Sequence, residues 1–200
     1  MAATFRYFAH PHQFSTYREE PAQCELCGHS GPGYAGPFYG PRDLDFICEE
    51  CLAIGRLVDI SVSTNQGDNA ALRAQLREVQ PRLRDEEHEQ LVRGRTVELE
   101  YQTPHLVTWQ DFFWPAHCGD YCHFIKEVGQ PELALLAPDG DGPSFLVAHA
   151  PDIADMAHAM EVWEGVRPDV PLDGRVAYSI GIYLFQCLNC GECVLLWDCD

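Results

Sequence analysis

Apolar residues recur along this chain with two different periods, and the changes from one to the other mark its segments. Between Ala70 and Val79, the side chains of Leu72, Leu76 and Val79 fall on one face of a 3.6-residue repeat, and Leu83, Leu91 and Val92 carry that repeat on from Pro81 to Arg93. Two helices are expected there. Pro81, which has no amide proton, separates them, and Gly94 is the expected stop. A third helix is expected over 152–163, where Ile153, Met156, Met160 and Trp163 share a helical face.

Elsewhere the pattern favours strands. Tyr34, Phe38, Tyr39 and Phe46 stand among glycines and prolines and predict short strands. Residues 176–185 are apolar and β-prone; with Val194 to Trp197 they predict a terminal hairpin whose tip carries cysteines. Residues 1–22, rich in proline, histidine and aromatics, read as an extended arm with no regular element. Residues 61–69 read as a polar connection and 168–174 as a turn-rich one. The stretch 97–125 is dense in aromatics and histidine, which suggests a packed core around a site.

At 200 residues, 46% of them apolar, the chain is long enough for one domain, or for one domain with a small appended module. The N-terminal residues contain no apolar core of signal-peptide length, and no apolar run approaches the roughly 20 residues of a membrane helix. A soluble, cytoplasmic protein is expected. Ten cysteines in a reducing compartment are thiols, which directs attention to metal; in a secreted chain a disulfide framework would regain weight.

Cys24-Glu25-Leu26-Cys27-Gly28 is followed, twenty residues on, by Cys48-Glu49-Glu50-Cys51. This pair-gap-pair spacing suits zinc, which accepts four thiolates tetrahedrally and then keeps no position open for water or substrate, so a structural site is expected. Gly28 allows the tight turn after the first pair. The second pair opens an apolar stretch and would sit on the first turn of a helix, whose positive end favours thiolate. Turn, hairpin and helix together resemble a treble clef. The competing reading, a redox pair, has no use for a second Cys-x-x-Cys at this distance.

Cys187-Leu188-Asn189-Cys190-Gly191 has the same form as the first turn and supplies half of a second site. Cys118 and Cys122 are the expected remaining ligands, with His117, His123 or Cys193 as substitutes for one of them; Cys199 is expected to be spare. Were a histidine or water to hold one position, the metal could be catalytic, with Asp120 or Glu127 as base. No zinc-protease or deaminase spacing surrounds them. Asp85, Glu86, Glu87 and Glu89, set among arginines, read as a solvated helix face and not as a further metal cluster.

The formal charge is −18, and residues 101–200 hold three Lys or Arg against fifteen Asp or Glu. Nucleic-acid binding rests on neutralising phosphates with cations, so this field argues against DNA or RNA and towards either simple solubility or a basic protein partner.

Several motifs taken together resemble the CbrC family of small, largely uncharacterised bacterial proteins. They are Phe5-Arg6-Tyr7 with His10-Pro11, Cys24-x-x-Cys27, Ile47-Cys48-x-x-Cys51-Leu52-Ala53-Ile54-Gly55, Thr103-Pro104 with Trp109-Gln110, His117-Cys118-x-Asp120-x-Cys122-x-Phe124, and Leu184-Phe185-Gln186-Cys187-x-x-Cys190-Gly191. The resemblance implies a role in tolerance to a nuclease-type toxin. His105, where glycine is expected, and the extra Cys193 and Cys199 depart from its pattern.

The expected architecture is α+β. A treble-clef-like zinc module at 1–60 packs on a mixed region at 61–200 that ends in the cysteine-tipped hairpin. The expected function is that of a zinc-stabilised acidic interaction protein, with a basic toxin domain as the partner the resemblance suggests and no nucleic acid or membrane. A metalloenzyme working near His117 to His123 is the alternative, and a zinc-dependent nucleic-acid binder stands below both.

Overall fold

The computed structural model describes residues 3–168 and 178–200. The fold is mixed α+β, as expected, and its strands form three small sheets among the described residues. Its contacts divide it into two compact units. The first comprises Met1–Val107, Phe112–His123 and Cys187–Cys190; the second comprises Thr108–Asp111, Phe124–Gln186 and Gly191–Asp200.

The first unit opens with a short helix, α1 (Pro11–Phe14), and a strand, β1 (Tyr17–Gln23), in the arm expected to hold no regular element. Exposed charges run along β1 with no period-two signal to read, and its hydrogen bonds come from a distant partner, β2 (Ser30–Tyr34). The register slips between Arg18 and Ala22, where Pro21 has no amide to give the ladder. β2 in turn pairs with β3 (Ile47–Cys48), setting Gly33 opposite Cys48. A Cβ on Gly33 would lie 2.1 Å from the Ile47 carbonyl oxygen, so only glycine fits this crossing. Of the aromatics expected on strands, Tyr34 is in β2, whereas Phe38 and Phe46 lie in loops and Tyr39 makes only an isolated bridge to Ser63.

From β3 the chain enters α2 (Glu49–Ala53), a short 3₁₀ turn (Arg56–Ile60), and then α3 (Asn69–Val79) and α4 (Asp85–Gln102). Asp68 caps α3 by accepting the Ala71 amide at 2.9 Å. Leu72 and Leu76 are fully buried, but Val79, expected beside them, is 47% exposed at the last turn. Gly94 does not stop α4, which runs eight residues past it. His88, Val92 and Leu99 are buried along one side, and that packing outweighs glycine's weak propensity. The helix ends at Thr103, whose hydroxyl donates to the Glu98 carbonyl, immediately before Pro104. Tyr7, Phe8, Tyr34, Ile47, Leu52, Leu57, Trp114 and Tyr121 complete this core, with Tyr7 and Tyr121 meeting edge to face at 5.8 Å. Two two-residue strands, β4 (Ala116–His117) and β5 (Asp120–Tyr121), pair as a tight hairpin.

The second unit contains β6 (His123–Val128), α5 (Gln130–Leu136), α6 (Gly142–His149), α7 (Met156–Gly165), β7 (Ile180–Gln186) and β8 (Cys193–Cys199), the strands lying in the order β6-β7-β8. The terminal hairpin forms as expected, antiparallel from Ile180 opposite Cys199 to Gln186 opposite Cys193. α5 and α6 have no counterpart in the sequence reading. They are short, and α6 is apolar around much of its girth, so neither offers a clean amphipathic stripe. α7 begins later than expected because Asp155 caps it at the His158 amide; Ile153 is buried in the loop before it. Apart from Pro168, the 168–174 connector lies outside the described residues, as do the first two positions of the 176–185 strand. Val128, Leu133, Leu146, Ile153, Val162, Ile182, Leu184 and Leu195 form this unit's core. Buried Asp198 accepts hydrogen bonds from the Tyr183 hydroxyl and from the amides of Trp109 and Gln110.

Candidate metal centres

The structure brings Cys24, Cys27, Cys48 and Cys51 together, with their sulfurs all within 4.8 Å of one another. Local backbone chemistry explains how. The amide of Cys24 donates to the His29 carbonyl and the amide of Gly28 to the Cys24 carbonyl, each at 2.8 Å, closing a turn that needs Gly28 in the left-handed region at φ +74°. Glu25, inside that turn, accepts the amides of Asp45 and Phe46, while its own amide donates to the Phe46 carbonyl. The first pair is thereby tied to the segment entering β3. Cys48 ends β3 and stands at the N-cap of α2, and Cys51 follows on that helix's first turn, as the sequence predicts. The sulfurs of Cys27 and Cys48 are 3.7 Å apart, well beyond the roughly 2.05 Å of a disulfide.

The thiols of Cys24, Cys48 and Cys51 differ in acidity. Burial works against the Cys24 thiolate, but amides of Cys48, Cys27 and Leu26 point at its sulfur and outweigh burial, bringing its pKa down to about 7. Burial pushes Cys48 and Cys51 up, the latter strongly, as nearby sulfurs add to the effect. One sulfur poised for ionisation beside two reluctant ones is what a cation would be expected to resolve, since its charge deprotonates the whole set.

A second group joins His117, Cys118, Cys187 and Cys190, again with every ligand atom within 4.8 Å of the others. Cys118 Sγ lies 3.7 Å from Cys190 Sγ, and His117 Nδ1 lies 3.5 Å from the same Cys190 sulfur. His117 ends β4, and Cys118 and Gly119 form the tip of the hairpin with φ of +52° and +74°. A non-glycine residue in that region is uncommon and is held here by its surroundings. Gln75 of α3 brackets the tip, donating to the Ala116 carbonyl at 2.8 Å and accepting the Gly119 amide at 3.3 Å, and Arg95 of α4 donates to the Gly119 carbonyl. On the other side Asn189 donates its amide to Cys187 Sγ and its side chain to the Cys118 carbonyl, and Gly191 closes the turn at φ +78°. The Cys118 thiol is pushed up to about 11, first by its hydrogen bond with Cys190 and then by burial.

The membership of this second group differs in one position from the sequence expectation. Cys118, Cys187 and Cys190 are present, but Cys122 is not, and His117 takes the fourth place. Cys122 lies beyond the hairpin and is fully buried, its amide donating to the Pro115 carbonyl and its carbonyl accepting the Trp114 indole. Burial pushes its thiol strongly up, which suits a core residue. Cys193 sits within β8, its carbonyl against the His149 imidazole, and Cys199 pairs with Ile180 at the far end of the hairpin; neither joins a group. His123 faces the Arg6 carbonyl at 2.7 Å.

Asp120, which stands inside the motif, is engaged elsewhere. Its carboxylate accepts the Tyr7 hydroxyl at 2.9 Å, Arg6 at 2.5 Å and the Tyr121 amide, and pairs with Arg95 at 3.3 Å. It anchors the N-terminal arm to α4 beside the hairpin. Neither Asp120 nor His123 is a member of the second group. Each group offers four candidate ligand atoms, the number a tetrahedral site requires.

The model of an uncharacterised protein family, UPF0167, matches residues 2–199. The chain is 26% identical over 191 residues to a UPF0167 protein of Pseudomonas aeruginosa, covering 94% of this chain and 92% of that protein. It is 27% identical over 199 residues to UPF0167 proteins of Mycobacterium bovis and Mycobacterium tuberculosis, covering 94% of this chain and 88% of each. No solved structure matches. The chain belongs to the UPF0167 family. This corrects the resemblance to the CbrC family, and the toxin-tolerance role implied by that resemblance alone loses its support.

Proposed function

We propose that this UPF0167 protein is a zinc-stabilised acidic interaction protein, in which two structural zinc ions hold the first unit in shape and a basic protein is the partner. The observation that carries the metal reading is the spacing of the ligand atoms. A tetrahedral ion bonded to sulfur at roughly 2.3 Å sets neighbouring sulfurs about 3.8 Å apart, and a shorter bond to nitrogen brings a sulfur–nitrogen edge to about 3.5 Å. One sulfur pair in each group, Cys27–Cys48 and Cys118–Cys190, stands at 3.7 Å, the His117–Cys190 pair stands at 3.5 Å, and all the ligand atoms of each group lie within 4.8 Å of one another. Softness of the donors favours zinc over magnesium or calcium, which prefer oxygen.

Cys24, Cys27, Cys48 and Cys51 would hold the first ion and His117, Cys118, Cys187 and Cys190 the second. The first set, as a treble-clef-like arrangement of turn, hairpin and helix, would carry about two negative charges with its metal and the second about one, adding to a chain already at −18. Both sets fill the tetrahedron, so the ions supply stability and leave the surface to do the work. That surface repels phosphate backbones and attracts cationic proteins. Free thiols of this number suit a reducing compartment such as the cytoplasm. Among the described residues, no helix is long and apolar enough to cross a membrane.

The reading is tested with the metal-replete chain immobilised at low salt and offered lysozyme as a basic globular probe. Retention that falls as salt rises is expected. No retention of lysozyme, or equal retention of an acidic protein of similar size, overturns the partner class.

A further inference from the structure

We propose that the α5–α6–α7 layer of the second unit is a docking surface for a cationic amphipathic helix of a partner protein; this rests on the reading of the chain as an acidic interaction protein and names the surface. Between Lys126 and Arg167 the sequence contains eight Asp or Glu and no Lys or Arg. Arg167 is itself occupied, 3.5 Å from Glu132. The whole layer therefore projects a field of one sign, with no cation of its own inside it.

Large apolar side chains are exposed within that field. Leu135 at the end of α5 is 85% exposed, the highest value for a large hydrophobic residue among the described ones, and Leu136 and Val147 are also exposed. On α7, Met156 and Met160 are 45% and 46% exposed, while Ala159 and Val162 face the core. Residues four apart lie one above the other on a helix, so the two methionines form a stripe, and Glu164 continues the same line. Single exposed hydrophobics are ordinary. Paired methionines amid unrelieved acid are not, because methionine is unbranched and polarizable and moulds itself to an incoming apolar face.

The complementary ligand presents apolar anchors at helical spacing with Lys or Arg around them. Its anchors seat on the methionine stripe, and its cations meet Asp152, Glu161 and Glu164. Charge also selects against other occupants. A second copy of this chain carries −18 and an anionic bilayer carries the same sign, so both are repelled.

The test uses the full metal-replete chain and dye-labelled melittin, a cationic amphipathic helix, followed by fluorescence anisotropy at 150 mM salt. Melittin is expected to bind at least tenfold more tightly than an oligolysine of equal charge. The double substitution Met156→Gln with Met160→Gln is expected to weaken melittin at least tenfold without changing the circular dichroism, while Val58→Gln, in the first unit, leaves binding unchanged. Equal affinity for oligolysine, an unaffected double variant, or displacement of melittin by self-association of the chain overturns the proposal. A chain that retains lysozyme but ignores melittin loses this surface and keeps the broader reading; a chain that binds neither loses both.

Discussion

Cys118 and Cys190 stand 72 positions apart in the chain, and their sulfurs lie 3.7 Å from each other. Removing one of the pair is expected to empty one centre and spare the other. Cys190→Ser should halve the zinc content, from two ions to one per chain. Because a structural zinc contributes on the order of 10 kcal/mol in small finger peptides, the loss should also lower the unfolding midpoint markedly. Metal analysis alongside urea unfolding checks both.

The fourth ligand separates the structure from the simplest reading of the sequence. His117→Ala is expected to lower zinc to one ion per chain, and His117→Cys to restore two. Cys122→Ser should keep two ions and cost about 1–3 kcal/mol, since it places a hydroxyl in a fully buried apolar site. Metal content that falls for Cys122→Ser and holds for His117→Ala would reverse the assignment.

Asp120→Asn leaves Arg6 and Arg95 without their carboxylate. Breaking a buried ion pair costs about 3–5 kcal/mol, but Arg6 is half exposed, so solvent screening reduces the expected loss to about 2–3 kcal/mol. The zinc content should not change. Unfolding in urea measures the first, and metal analysis the second.

Two glycines should respond in opposite directions. Gly33→Ala drives a methyl into the Ile47 backbone opposite Cys48 and is expected to destabilise by more than about 2 kcal/mol. Gly94→Ala meets nothing within 4 Å on the exposed side of α4 and is expected to stabilise by about 0.5–1 kcal/mol. Thermal unfolding of the two variants gives the comparison.

The first cysteine group was legible because its members announce themselves by short-range spacing, and Gly28 marks the turn they need. The second was only half legible. Cys187 to Cys190 repeats the local form, but what brings it to Cys118 is Gln75, Arg95 and Asn189 acting across the fold, and no local pattern encodes that. Cys118 to Cys122 looked like a ligand pair because of its spacing; the hairpin between β4 and β5 turns Cys122 into the core and leaves His117 beside Cys118. The tip of that hairpin, Cys118-Gly119, was the available signal for His117, since a tight turn sets the residue before it near the same sulfurs. α3 and the terminal hairpin followed from periodicity. α4 ran past Gly94 because Leu99 is buried beyond it, and β1 exists because β2 lies alongside, both tertiary effects that a local reading does not contain.

The most direct test is elemental analysis of the purified, unchelated protein together with thiol counting under denaturing conditions. The account predicts two zinc ions per chain and ten free thiols once the metal is removed. A metal-free protein that retains its fold, or one in which Cys24, Cys27, Cys48 and Cys51 are found as disulfides, would contradict it.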